Sequence, residues 1–273
     1  MSVKVAPAGR QHRAWVQQVM GMPVSVHLRG EGSRGPAADE RVAAAFDELR
    51  AVEEIFSPYR AGSDVSRIDR GDLEPEAAHP LVAEVVTLCE TARVLTAGSF
   101  DASYGPPRLS GRRRFDPTGL VKGWAVQRAA EHLAAGLHCD VSVNAGGDVA
   151  MRPGADALPW RIGIEDPRDP RLVLAVVDVV AGGVATSGSA HRGSHILDPR
   201  DGSSVDEVLA VTVVGPSLLW ADVLATAAFV RGREGLALVE GLRGYEALVV
   251  DQDGFTTTSG LATGQPSTVD MSA

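Results

Sequence analysis

The chain has 273 residues, a formal net charge of −9, 44% hydrophobic and 22% charged residues, enough for one large domain or two intimate ones with a sizeable core. That acidic balance excludes a nucleic-acid binder with a broad basic face, since Arg112-Arg113-Arg114 is the one basic cluster. No uninterrupted apolar run reaches the about 18 residues of a membrane helix, and the first stretch, with Arg10, His12, Arg13 and Gln17, lacks the apolar segment of an export signal.

Residues 1–18 are expected to be an N-terminal extension, 19–261 a single catalytic unit, and 262–273 a flexible tail of small polar residues. Met22 to Leu28 alternates apolar and polar residues and is predicted as a half-buried strand. After a loop from Gly30 to Pro36, Asp39 to Phe56 places Val42, Ala45, Phe46, Leu49, Val52 and Ile55 at helical spacing, with Pro58 ending the helix. Tyr59 to Asp69 reads as a polar loop. Pro80 to Ala97 is a second helix with Leu81, Val85, Leu88 and Ala92 on its apolar stripe, closed by Gly98-Ser99-Phe100-Asp101. Gly123 to Ala135 is a third. Val141 to Met151 reads as strand, glycine turn, strand. Further strands are expected at Trp160–Glu165, Leu172–Val180, Val208–Val214 and Glu246–Val250, with a helix bearing Asp222 and a short one over Glu234–Leu242. No fixed-period repeat and no low-complexity linker divides the chain. Adjacent strands joined by glycine turns, with helices grouped between them, indicate an α+β fold with largely antiparallel sheets and helices packed on them. Cys89 and Cys139 stand in apolar contexts without metal-type spacing, as expected of reduced core residues in a cytoplasmic protein.

Four segments bear chemistry. In Leu218 to Phe229, Asp222 and Thr226 lie four apart in an apolar helical run, which puts both oxygens on one face. A carboxylate there is either satisfied by backbone or an arginine, or it binds a hard cation such as Mg²⁺. Phe115 to Gly123 is a turn opening onto a helix, where amides and Lys122 favour an anion such as a phosphate; a solvated first-turn lysine is the alternative. Asn144-Ala-Gly-Gly-Asp148 is either a plain hairpin or a close backbone approach to a ligand. Ala185 to Pro199 is rich in hydroxyls and histidines: His195 is a candidate general base, and Ser187 lacks the Gly-x-Ser-x-Gly elbow of a hydrolase.

These segments together resemble one family, the FAD:protein FMN transferases or ApbE-like flavin transferases. The matching pieces run in family order: Met20-Gly21-Met22; Ser57-Pro-Tyr59 with Ser63-Asp-Val-Ser-Arg67; Gly98-Ser-Phe-Asp101; Phe115-Asp-Pro117 with Lys122-Gly-Trp-Ala125; Asn144 to Asp148; Thr186-Ser-Gly188; His195 to Pro199; and Ala221-Asp222 with Ala225-Thr226. The resemblance implies an ApbE-like, T-fold-like core and an enzyme that cleaves the FAD pyrophosphate, attaches FMN through a phosphoester to a threonine of an acceptor flavoprotein, and releases AMP. It implies Mg²⁺ held by the backbone carbonyl of Ala125 and the side chains of Asp222 and Thr226. It also implies flavin contacts at Met20, Ser99, Phe100, Asp101 and Lys122, and His195 in the site as the group that deprotonates the acceptor hydroxyl. Members are commonly exported, whereas the missing export signal here leads to the expectation of an acceptor in the cytoplasm or on its membrane face. Asp69 falls where members often have Asn or Tyr, beside the flavin, at a position that affects hydrolysis against transfer. The rivals are an FAD pyrophosphatase giving FMN and AMP, and a non-catalytic flavin-binding protein.

Overall fold

A computed structural model describes residues 11–105, 113–155, 157–189 and 196–261. His195, Arg112 and the tail 262–273 lie outside the described residues.

The chain opens with strands β1 (His12–Val19) and β2 (Met22–Arg29), followed by helices α1 (Pro36–Phe56), α2 (Asp64–Arg70) and α3 (Pro80–Leu95). Two short strands, β3 (Ser103–Tyr104) and β4 (Arg114–Phe115), pair ahead of α4 (Thr118–Ala134). Then come β5 (Asp140–Ala145), β6 (Asp148–Arg152), β7 (Trp160–Asp166), β8 (Asp169–Val179), β9 (Gly182–Gly188) and β10 (Ala210–Gly215). Helices α5 (Leu218–Val230) and α6 (Gly235–Glu240) and strands β11 (Glu246–Val250) and β12 (Phe255–Thr257) complete it. One eight-stranded sheet runs β1-β2-β5-β6-β9-β10-β11-β12, antiparallel at every pairing.

Both faces of this sheet are apolar, which is why its central strands read as continuous buried runs. Val141, Val143, Ala150, Ala185, Val211 and Val249 face the main core under the helices. Their neighbours Val149, Met151, Val184, Ala210, Leu248 and Val250 form a second core with Ile164, Ala175, Val177 and Val179 of the β7–β8 hairpin. The two-residue period of a strand sends alternate side chains to opposite faces, and the hairpin covers the face the helices leave open.

Helix α5 is apolar nearly all round, with mostly buried residues, as a helix enclosed by its neighbours must be. It packs against α4, β9 and β10. Its N-cap Ser217 accepts from the Trp220 amide, and Gln127 of α4 accepts from Ser217 Oγ at 2.8 Å and the Leu219 amide at 3.1 Å, fixing the two helices together. Gly183 of β9 makes the close approach possible, since a Cβ there would lie 2.5 Å from both Cα and Cβ of Leu218.

Several expectations change. Residues 12–18, expected in an extension, form most of β1 and pair with β2 in register from His12↔Arg29 to Val19↔Met22. Within the expected loop 59–69, α2 begins at Asp64, capped by Ser63 Oγ accepting from the Ser66 amide and closed by Gly71 at φ 81°. The third helix starts at Thr118 rather than Gly123. The hydroxyl-rich segment from Ala185 begins inside β9, whose small residues gave no apolar signal. Cys89 and Cys139 are buried and free, and burial pushes their thiols up to about 12 and about 11. Among the described residues no helix is long and apolar enough to cross a membrane.

A methyl group at Gly183 meets backbone rather than a movable side-chain end, so Gly183→Ala is expected to destabilise the protein by about 1–3 kcal/mol through overpacking. Urea unfolding of both proteins tests this; an unchanged midpoint would show that α5 does not rest on β9 as described.

Candidate active site

The site is assembled where α4, α5 and the β5–β6 hairpin meet. Asp222 of α5 is 2% exposed, and its Oδ2 accepts a hydrogen bond from the Gly123 amide of α4 at 3.0 Å. That residue has to be glycine, because a Cβ at position 123 would come within 2.8 Å of Asp222 Cβ. Lys122, one residue earlier, places Nζ 3.7 Å from Asp222 Oδ1 and 2.6 Å from Asp148 Oδ2. Asp148 is fully buried, and its Oδ1 accepts from the Thr186 amide of β9 at 3.2 Å. Its Oδ2, buried and without an aligned hydrogen-bond donor, is ion-paired with the lysine.

Two buried carboxylates therefore share one ammonium. Burial first, and then the neighbouring Asp148 charge, push the Asp222 carboxyl up to about 8, against the opposing pull of Lys122 and the Gly123 amide. One helical turn along α5, Thr226 Oγ1 lies 3.1 Å from Ser187 Oγ of β9, which adds two hydroxyls on the same side as Asp222. Ala125 is buried in α4, two residues beyond Gly123. All potential ligands here are hard oxygens. Among the described residues no group of three or more His, Cys, Asp or Glu converges, and a pair of carboxylates is what Mg²⁺ usually takes from a protein.

The other predicted residues sit on separate supports. Met20 adopts φ 55° in the β1–β2 turn, and its amide donates to Glu53 Oε2 of α1 at 3.1 Å. Phe100 is 5% exposed and lies over the first turn of α4, where a Cβ on Gly119 would be 3.2 Å from its ring. Asp101 Oδ1 accepts from the Ser103 amide at 2.8 Å, with Arg113 3.8 Å from Oδ2. Asp69 Oδ1 accepts from the Phe115 amide at 2.9 Å, tying α2 to β4.

Lys122 is neither solvated nor in the first turn: its side chain is 19% exposed and ion-paired with carboxylates. The first-turn amide of Thr118 is met by Asp116 Oδ1 at 3.1 Å, so the chain's own carboxylate takes the place foreseen for an anion. Asn144 to Asp148 is a two-residue hairpin with Gly146 at φ 59° and Gly147 at φ 96°, the turn that suits the strand twist. Its close approach is to Met22, whose Sδ would be 2.9 Å from a Cβ on Gly146. Asp148 and Ser187 join this cluster without being expected in it: the sequence marks Asp148 only as the end of the Asn144–Asp148 turn and Ser187 only as part of the hydroxyl-rich segment, and no local spacing places either beside Asp222 or Thr226.

A sequence model of the ApbE family matches residues 20–109 and 108–249. The chain is 28% identical over 259 residues to the FAD:protein FMN transferase of Vibrio cholerae serotype O1, covering 75% of this chain and 78% of that one. It is 31% identical over 259 residues to the FAD:protein FMN transferase of Salmonella typhimurium, covering 70% and 73%. The ApbE protein of Thermotoga maritima shares the fold at TM-score 0.77 and 22% identity, over 91% of this chain and 97% of that one. The apo flavinyl transferase ApbE of Pseudomonas stutzeri matches at TM-score 0.74 and 26% identity, over 93% and 96%. The α+β fold with antiparallel sheets agrees with these structures.

A carboxyl whose pKa rises on folding from 3.8 to about 8 binds its proton more tightly in the native state throughout that interval. Its contribution to stability is thus complete below pH 3.8 and is lost progressively as pH rises toward about 8. Without divalent cations, Asp222→Asn is expected to flatten this decline. Urea midpoints at intervals from pH 5 to 8.5 measure it, and equal slopes for the two proteins would contradict the assignment.

Proposed function

The chain belongs to the ApbE family, and on that premise we propose that it is a Mg²⁺-dependent FAD:protein FMN transferase. It would cleave the FAD pyrophosphate, attach FMN through a phosphoester to a threonine of an acceptor flavoprotein, and release AMP. The observation that carries this reading is the charge imbalance at Asp222, Asp148 and Lys122. Two desolvated carboxylates with one ammonium are stable ionised only if a further cation joins them. The unaligned Oδ2 of Asp148 supports the same fit.

Asp222, Thr226 and the carbonyl of Ala125 would hold the metal, with Asp148 beside them. Bound there, Mg²⁺ supplies neutralisation of charge on the pyrophosphate oxygens. Lys122 balances the acidic pair and offers its ammonium to a flavin phosphate. Met20 and the Ser99–Asp101 turn bind and orient the flavin, and Asp69 keeps β4 beside that turn. His195 takes the proton from the acceptor threonine as its oxygen bonds to the FMN phosphorus, while the bond from that phosphorus to the bridging oxygen breaks and AMP leaves with it. The segment after His195 is well anchored, with the Asp198 amide donating to Ser203 O at 2.9 Å and Asp198 paired to Arg200. The two buried free thiols fit a cytoplasmic setting for the enzyme.

Asp222→Ala is expected to abolish Mg²⁺-dependent AMP release from FAD while the circular dichroism spectrum stays native; AMP release at the wild-type rate would sink the metal assignment. His195→Ala is expected to bind FAD normally yet transfer FMN about 10²–10⁴-fold more slowly. Weakened FAD affinity with normal transfer would instead make His195 a binding residue. Transfer itself is tested by supplying FAD, Mg²⁺ and a threonine-bearing acceptor from the same cell, then measuring AMP alongside the intact mass of the acceptor. AMP and free FMN rising together, with no covalent flavin on any acceptor, would establish the pyrophosphatase instead.

A further inference from the structure

Arg231 closes helix α5, and its side chain reaches the turn that follows α3. The Arg231 amide caps the helix on the carbonyls of Ala227 and Ala228, each at 3.2 Å. Its guanidinium then donates from Nε to Ser99 Oγ at 2.8 Å and from Nη2 to the carbonyl of Thr96 at 2.6 Å. Both acceptors are buried, Thr96 fully and Ser99 to 2% exposure.

The turn that receives these bonds is held locally by the Gly98 amide on Arg93 O at 2.8 Å and the Ser99 amide on Thr96 O at 3.2 Å. It passes through Ala97 at φ 50° and Gly98 at φ 81°, and a non-glycine residue in that region costs about 1–2 kcal/mol. Thr96 contributes locally, its hydroxyl donating to Ala92 O at 2.8 Å and accepting from the Phe100 amide at 3.0 Å. Those bonds tie the turn to its own helix, α3. The two bonds from Arg231, to the Ser99 hydroxyl and the Thr96 carbonyl, tie it instead to the helix that carries Asp222 and Thr226.

We propose that Arg231 is a positioning residue that sets the Ser99–Asp101 turn at a fixed distance from Asp222 and Thr226. One helix thereby gauges the separation of the two subsites. Arg231 stands nine positions beyond Asp222, about 13.5 Å along a helix at 1.5 Å per residue. The isoalloxazine of FAD is joined to its phosphates by a ribityl chain of set length, so a ring subsite and a pyrophosphate subsite must keep a matching interval. A guanidinium suits the task because its planar fork serves two acceptors at once, which a lysine ammonium on a flexible stem does not reproduce. The inference rests on the reading above that this turn faces the flavin.

The test compares wild type with Arg231→Met, Arg231→Lys, Ser99→Ala and the Arg231→Met/Ser99→Ala pair, using FAD and MgCl₂ as the probes. Arg231→Met is expected to raise the KM for FAD by about tenfold or more, the scale of losing charge-assisted bonds and subsite alignment. The Mg²⁺ concentration for half-maximal AMP release is expected to stay unchanged at saturating FAD. Lysine is expected not to restore the KM, and the double variant to be no worse than Arg231→Met alone, because one contact is broken twice. Ser99→Ala, a small change at the acceptor, carries the test should the arginine variants unfold. A wild-type KM in folded Arg231→Met or in Ser99→Ala, or additive effects in the pair, would overturn the proposal while leaving the transferase reading intact. A wild-type chain that neither binds FAD nor releases AMP would overturn both.

Discussion

The ammonium of Lys122 stands between two carboxylates that have almost no access to solvent, and most of the architecture converges on that contact. Each partner comes from a different piece of chain: the lysine from α4, Asp222 from α5, and Asp148 from the start of β6. Burying three charges is costly unless each is paired or hydrogen-bonded. The fold meets that demand with backbone donors, the Gly123 amide to Asp222 and the Thr186 amide to Asp148. The demand is met only in part: one ammonium faces two carboxylates, and burial with the neighbouring Asp148 charge raises the Asp222 carboxyl above the usual carboxylate range.

Such a contact requires helices and strands to approach more closely than ordinary side chains allow. Glycine supplies the clearance at two levels. Gly123 lets α4 meet Asp222, and Gly183 lets β9 lie beneath the N-terminus of α5. The apolar girth of α5 then holds the arrangement, since a helix buried on nearly every side cannot turn without exposing large hydrophobic area. The β7–β8 hairpin serves the same end from the far side by covering the second face of the sheet. A rigid support of this kind is what a site needs if its ligands are to be held before the reactants arrive.

Much of this is legible in the sequence. Helical periodicity located α1, α3 and α5 closely, and the alternation or continuity of apolar residues located β2, β5, β6, β10 and β11. The elements that escaped notice have physical reasons in common. β1 is an edge strand with a polar, half-exposed composition, and β9 consists of glycine and small residues whose burial comes from neighbours. α2 is seven residues long, too short for a periodic stripe, although its serine cap and glycine stop were both present.

For the site, the primary structure by itself determined that Asp222 and Thr226 share one face of an apolar helix, because helical geometry depends only on spacing. It also determined that the two glycines before Asp148 form a tight hairpin, since both residues must take positive φ. Local spacing could not decide what surrounds Asp222, whether Lys122 meets water or carboxylates, or that Asp148 belongs to the site at all. Those contacts join residues from 26 to 100 positions apart in the chain, and they exist only because the packing of α4 on α5 over the sheet brings the three elements together. Tertiary structure alone made that choice: the energy of a buried charge depends on every neighbour that replaces water, and none of those neighbours is adjacent in sequence.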